Sequence, residues 1–219
     1  MCIRDRVGSA QAAILEVAYE GSVYYTAGDG AGYSVGDAVS GSLFINTDLA
    51  PADSSSNPNV HHSRYWGTGD SGFVTGHTTD GTYTYDYVYI EDENFNRDYF
   101  KVRDYESTSY DSGTGNYGNS SSYLQLAAYD YGINFIDGAS LEQAFELYAN
   151  DSVDGFVGYF YSYGYSYENY QLTSHNSGHA YFNLSSLKVG PATVPEPSAL
   201  ILLGAGLAGL GFTRKLKKA

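Results

Sequence analysis

Two rows of tyrosine at every second position constrain this chain more than any other feature: Tyr83, Tyr85, Tyr87 and Tyr89, then Tyr159, Tyr161, Tyr163, Tyr165 and Tyr167. A period of two puts each row on one face of a β-strand, whereas a helix would scatter it. Tyrosine is a good strand former, with a large apolar ring and a hydroxyl that tolerates water. Between residues 14 and 193 no helix-period segment of comparable length appears. Short alternating runs separated by Gly, Asn, Asp and Ser fill that span. The expected fold is all-β: an antiparallel β-sandwich or jelly-roll-like single domain over residues 14–190.

Candidate strands are Ile14–Tyr19, Ser22–Thr26, Ala38–Asn46, Gly72–Thr78, Thr82–Glu91, Tyr99–Asp104, Tyr123–Tyr129, Leu141–Tyr148, Gly155–Tyr163 and His179–Val189. In AVSGSLFIN, Val39, Gly41, Leu43 and Ile45 fall on one side. Ser140-Leu-Glu-Gln143 has the form of a helix capping box. The alternation of Leu141, Gln143, Phe145 and Leu147 favours a strand there instead. Composition argues for a rival, disorder, because Ile, Leu, Val and Phe make up only 35 of the 180 residues from 14 to 193. That count omits tyrosine. All 24 tyrosines lie in this body, and its 34 aromatic residues outnumber its 26 branched aliphatics. Regular placement at period two serves no purpose in a disordered chain, so the body is read as folded.

Each tyrosine row admits two readings. Exposed rings on a sheet form an aromatic platform that stacks against sugar rings. Alternatively, cross-strand aromatic pairs cover the core. Opposite the first row stand Thr84, Asp86, Val88 and Ile90, and opposite the second Phe160, Ser162, Gly164 and Ser166. Neither opposite face is clearly apolar, which predicts that tyrosine is the core side in at least one row. A third reading takes GYFYSYGYSYENY (158–170), with Glu168 its single charge, as an edge strand or assembly segment.

Charge is segregated along the chain. The body holds 23 of the 25 acidic residues and five of the 11 basic ones, a net charge of −18 against −14 for the whole. The five are Arg64, Arg97, Lys101, Arg103 and Lys188. Such a balance excludes a nucleic-acid-binding surface, which needs a basic patch. The single cysteine, Cys2, excludes an intramolecular disulfide framework and any cysteine-cluster metal site.

The two ends differ from the body. Pro195 and Pro197 flank Glu196 and break regular structure. Ser198–Phe212 is then an uncharged run of 15 residues, followed by Arg214, Lys215, Lys217 and Lys218. As a helix the run spans about 22 Å, short of a hydrocarbon core of roughly 30 Å, with snorkelling basic stems making up part of the deficit. This predicts a linker over 191–197 and a short transmembrane helix with a basic tail over 198–219. The basic end would face the cytoplasm and the body the outside. The order Val194-Pro195-Glu196-Pro197, apolar helix, basic cluster resembles the PEP-CTERM sorting signal of exported Gram-negative proteins, over residues 194–219 alone. The resemblance implies recognition by an exosortase, which cuts near the Pro-Glu-Pro element, so that the chain is that enzyme's substrate. It also implies a secretion machinery and a transient inner-membrane anchor before release to the cell surface or beyond. At the other end, Met1–Arg6 has no apolar run and resembles a spurious leader. Val7–Ala13 looks like the small-residue end of a signal peptide, with Ala10-x-Ala12 as cleavage site. The fold is therefore read from Ile14 onward.

Few residues suggest chemistry. Asp92, Asn94, Asn96 and Asp98 alternate in DENFNRD, as oxygen ligands do in a calcium loop, although Arg97 stands where an EF-hand needs glycine. The competing reading is a polar hairpin turn. Any calcium there is structural, and no other cofactor is implied. His175 and His179 have a zinc-like interval, but Asn176-Ser177-Gly178 between them argues for a loop. His61-His62 sits in a Ser/Pro/Asn loop (53–63), His77 stands alone, and Ser71 lacks the nucleophile elbow Gly-x-Ser-x-Gly. Trp66, the sole tryptophan, is read as a core residue. Thr78, Thr79, Thr82 and Thr84 cluster once without recurring, which excludes an ice-binding array. The expectation is an exported, non-catalytic cell-surface or extracellular-matrix protein. The alternative is a carbohydrate-binding module using Tyr159, Tyr161, Tyr163, Tyr165 and Tyr167 as a platform for exopolysaccharide.

Overall fold

The structure is a computed structural model describing residues 14–28, 32–53, 62–69, 72–76, 83–94, 97–136, 138, 140–141 and 143–192. Among the described residues ten strands carry the fold: β1 Ile14–Gly28, β2 Ala38–Asn46, β3 His62–Gly69, β4 Val74–Thr75, β5 Tyr83–Asn94, β6 Arg97–Asp111, β7 Tyr117–Asp130, β8 Phe145–Tyr148, β9 Gly155–Glu168 and β10 Gln171–Pro191. They form one sheet in the order β3-β5-β6-β7-β9-β10-β1-β2-β4, with β8 pairing β10 where β9 has ended. Every pairing is antiparallel. The ends of the path approach each other, so the sheet is nearly closed. The Tyr65 ring on β3 lies 6.3 Å from Phe73 beside β4, and the Val74 N–H on β4 donates to Asp86 on β5 at 3.2 Å.

Alternation drives this arrangement. Val17, Leu43, Ile45, Val88, Ile90, Phe100, Val102, Leu126 and Leu187 point inward and are fully buried. They belong to one hydrophobic cluster that receives residues from both halves of the sheet. β2 spans the predicted strand, and its Val39, Leu43 and Ile45 face the core. Ile14–Tyr19 and Ser22–Thr26 merge into the single strand β1, which carries register shifts at Glu20/Gly21 and Val23/Tyr25. Leu141, Gln143, Phe145 and Leu147 are buried in alternation; of the expected strand Leu141–Tyr148 only Phe145–Tyr148 is a strand, a short 3-10 turn over Ala149–Asp151 follows it, and the described residues from 140 to 148 include no helix. Gln143 can be buried because its amide donates to the carbonyls of Gly138 and Ser140, at 3.0 and 2.6 Å.

Three expectations are corrected. The segment 171–178, including His175 and Asn176-Ser177-Gly178, belongs to strand β10; pairing with β9 holds its polar residues extended. Residues 158–170 do not form an edge, because β9 is hydrogen-bonded to β7 on one side and β10 on the other. Tyr85, Tyr87 and Tyr89 of the first row and all five tyrosines of the second lie on the face opposite the core, Tyr89 buried there among its neighbours. On β5, Asp86, Val88 and Ile90 are the inward residues. On β9, Phe156 and Phe160 pack on the core, and Phe182 of β10 fills the slot at Gly158. The inner face of β9 is thus apolar through a ring supplied by its neighbour.

Carboxylates organise the long connection between β7 and β8. Asp98 Oδ2 accepts the backbone N–H groups of Phe135 and Ile136 at 2.6 and 2.7 Å, and Asp92 Oδ2 accepts that of Gly138 at 2.8 Å. Asp130 accepts from Gly132, Ile133 and Asp154. Burial pushes the Asp130 carboxyl up, but these three donors outweigh it and hold the group below its usual range. Residues 193–219, where the transmembrane helix is expected, lie outside the described residues. No helix among the described residues is long and apolar enough to cross a membrane.

Candidate functional site

Strand register sets the tyrosines side by side. One level of the outward face runs Trp66 (β3), Tyr87 (β5), Arg103 (β6), Gln125 (β7), Tyr159 (β9), Tyr181 (β10) and Tyr25 (β1), each residue directly opposite the next. Along β9 the row ascends from Tyr159 through Tyr161, Tyr163 and Tyr165 to Tyr167, with successive ring centroids 5.9–6.5 Å apart. Cross-strand contacts are closer: Tyr159–Tyr181 at 4.4 Å, Tyr123–Tyr161 at 5.2 Å, and Tyr117–Tyr167 stacked at 4.6 Å. Each such pair contributes about 0.5–1.5 kcal/mol beyond area burial. All five tyrosines of the β9 row are half-buried.

A second aromatic set occupies the β3–β5–β6 side. It runs from Trp66 to Tyr87 at 4.2 Å, then through Tyr89 and Tyr99 to Tyr129 and Tyr131. Trp66 is half-buried on the outward face against Tyr85 and Tyr87, so its reading as a core residue is overturned. Arg103 joins the two sets. Its guanidinium lies 5.5 and 5.9 Å from the Tyr85 and Tyr87 ring centres and 5.7 Å from that of Tyr123. Arg64 stands over Tyr89, Lys101 over Tyr87, and Arg97 over Tyr99 and Tyr131. Four of the body's five basic residues therefore share the tyrosine face.

Crowding keeps these phenols neutral. Burial pushes the Tyr159 hydroxyl well above its ordinary value, reinforced by hydrogen-bonded Tyr123 and Tyr181. Burial likewise raises Tyr87, Tyr99, Tyr123 and Tyr161. Tyr89 is pushed up to about 12, first by burial and then by the hydrogen bond it donates to Glu91 at 3.0 Å. Glu91 is itself buried and paired with Arg97. The rings consequently present O–H donors and uncharged π faces.

Between the rings lies a shallow depression of about 340 Å³ lined by Tyr123, Gln125, Val157, Gly158, Tyr159 and Tyr181. Val157 also borders a second depression of about 380 Å³, towards Tyr129, Asp154 and Asn183. These volumes lie within the roughly 300–1,000 Å³ range of small-ligand sites. The combination of aromatic faces, amide side chains and an apolar floor can stack a sugar ring and hydrogen-bond its hydroxyls.

The other candidate residues have different surroundings. Asp92 and Asp98 are engaged by loop amides. Asn94 begins the short return to Arg97, and Asn96 lies outside the described residues. No group of three or more His, Cys, Asp or Glu among the described residues could hold a metal ion. His175 and His179 sit on the outward face of β10, against Tyr163 and against Tyr25, Tyr159 and Tyr181, respectively. His61, Ser71 and His77 lie outside the described residues. Lys101, Arg103, Tyr123, Gln125 and Tyr181 were not singled out from the sequence. Their membership of the site depends on cross-strand register, and their own strands give no signal for it.

The model of the PEP-CTERM protein-sorting motif matches residues 193–215, a stretch confined to the C-terminal segment and containing Val194-Pro195-Glu196-Pro197 and the basic residues Arg214 and Lys215. No curated protein and no solved structure matches the chain. The chain carries the sorting signal of an exported protein, which directs it to the cell envelope or surface through exosortase-type processing machinery.

Proposed function

We propose that this is a non-catalytic surface or extracellular-matrix protein whose tyrosine face binds exopolysaccharide. The observation that carries the reading is the outward direction of Tyr159, Tyr161, Tyr163, Tyr165 and Tyr167, half exposed above a strand whose other face packs on the core. A buried row could serve only the core. A half-exposed one leaves part of each ring for a ligand, beside the depression at Tyr123, Gln125 and Tyr181. Export places this face where polysaccharide is met, and the C-terminal segment anchors the chain in the inner membrane until an exosortase releases it.

Two experiments test the reading. In a polysaccharide pull-down, Tyr161→Ala and Tyr163→Ala are each expected to weaken binding, and full retention in both removes the platform. Fractionation of the native gene product should place the body outside the inner membrane. Recovery from the cytoplasm would overturn the export half of the proposal.

A further inference from the structure

The basic residues of the body are not equivalent. Arg97, on the tyrosine face, is paired with Glu91, and Lys188, away from it on β10, lies 3.5 Å from Glu146. Lys101 and Arg103 have no carboxylate partner among the described residues. Lys101 Nζ has the Tyr87 ring at 5.6 Å, Arg103 has the three rings of Tyr85, Tyr87 and Tyr123, and Arg103 Nε, like Arg97 Nε, is buried without a hydrogen-bond partner. In a body with 23 acids for five bases, a carboxylate is the easiest partner to supply. Two half-buried cations left to rings alone, side by side on β6, carry an unmet demand for negative charge. Lys101 registers it: burial and the adjacent Arg103 charge both push its ammonium below the usual range.

Register fixes what lies next to them. Arg103 is directly opposite Gln125, and Gln125 is directly opposite Tyr159, so the cation stands at the lip of the depression lined by Tyr123, Gln125, Tyr159 and Tyr181.

We propose that Lys101 and Arg103 form an anion subsite of this face, which receives the carboxylate of a uronic-acid polysaccharide whose rings stack on the neighbouring tyrosines. The inference rests on the polysaccharide reading above and names its substrate class. The body's −18 charge opposes a polyanion at long range, but at physiological ionic strength that repulsion is screened beyond about 8 Å, while contact at a half-buried site is not. The subsite therefore acts locally and gives selectivity for acidic over neutral chains.

The test compares polygalacturonate with its fully methyl-esterified form, which has the same backbone without the charge. Binding of the full-length chain is read by affinity electrophoresis at physiological salt. The acid form is expected to bind at least about tenfold more tightly than the ester, the scale of one charge-assisted contact. Arg103→Gln and Lys101→Gln should each reduce that preference while ester binding persists. Lys101→Gln, which gives up a single ring contact, keeps the test decisive if Arg103→Gln fails to fold. Equal binding of acid and ester, or an unchanged preference in both variants, would make Arg103 a structural clamp only and overturn the subsite while leaving the polysaccharide reading intact. Failure of the unmodified protein to bind either form, or any other polysaccharide, would overturn both.

Discussion

Gly158 offers the sharpest test of how the tyrosine face is supported from beneath. A Cβ built on Gly158 falls 2.0 Å from Cε2 of Phe182, a ring that is 2% exposed and stacked on Tyr19 at 5.9 Å. In Gly158→Ala that ring must move within a filled core, a form of overpacking that costs about 1–3 kcal/mol. Replacing a strand glycine by alanine returns about 0.5–1 kcal/mol of backbone entropy, which offsets part of this. The net loss is about 0–2.5 kcal/mol, with its midpoint near 1.3 kcal/mol. For a domain of this size that midpoint lowers Tm by about 2.5–5 °C. Gly190 on β10 is the control: it has no heavy atom within 4 Å of its built Cβ and no positive φ. Gly190→Ala is therefore expected to leave stability unchanged or raise it by up to about 1 kcal/mol. Thermal unfolding followed by near-UV circular dichroism, which reports on the packed rings, compares the two directly. Adding Phe182→Leu to Gly158→Ala should couple favourably by about 1 kcal/mol, because the smaller side chain clears the site. If Gly158→Ala and Gly190→Ala behave alike, the claim that Phe182 fills the inner side of β9 is wrong.

Three further outcomes follow from the same geometry. Asp98→Ala removes the acceptor for the Phe135 and Ile136 amides and is expected to cost about 3 kcal/mol, with faster hydrogen exchange at those two positions; unchanged exchange would refute the role. Because Asp92 and Asp98 already hold loop amides, Tm should not move between calcium and chelator, and a rise with calcium would show a bound ion at that turn. Tyr19 and Tyr89 are pushed up from 10.0 to about 12, so from pH 10 to 12 the unfolded chain releases protons that the native state retains. The urea midpoint should hold up to about pH 10 and fall through that window, whereas a flat midpoint would contradict their burial.

The strands best read from sequence are those with one aliphatic face. β2, with Val39, Leu43 and Ile45 on alternate positions, was legible to its ends. β3 was missed because HSRYWGTG turns Ser63, Tyr65 and Gly67 inward and Trp66 outward, the reverse of a hydropathy rule. The first half of β10 was missed because QLTSHNSG is polar on both faces and is held extended by its partner β9. The direction of the β9 tyrosines was not readable for a related reason. Its inward positions include Gly158 and Gly164, and Gly158 faces the core through Phe182, 24 positions further along. The same limit hid Lys101 and Arg103. Each looks like an ordinary strand charge until pairing with β5 and β7 surrounds it with rings.

The position of β10 has a consequence for when this protein can fold. It is the last strand, yet it pairs with the first one, β1, as well as with β8 and β9. Until residue 191 is available, β1 and β9 each lack a neighbour, and the Tyr/Gly/Ser-rich stretch of β9 is an open template for pairing with other chains. Closure joins residues as far apart as Leu15 and Pro191, the kind of distant pairing that makes folding slow. The matched sorting motif begins at residue 193, directly after the closing strand. The strand that completes the sheet thus immediately precedes the sorting signal, and the aromatic face is assembled only once essentially the whole body is available.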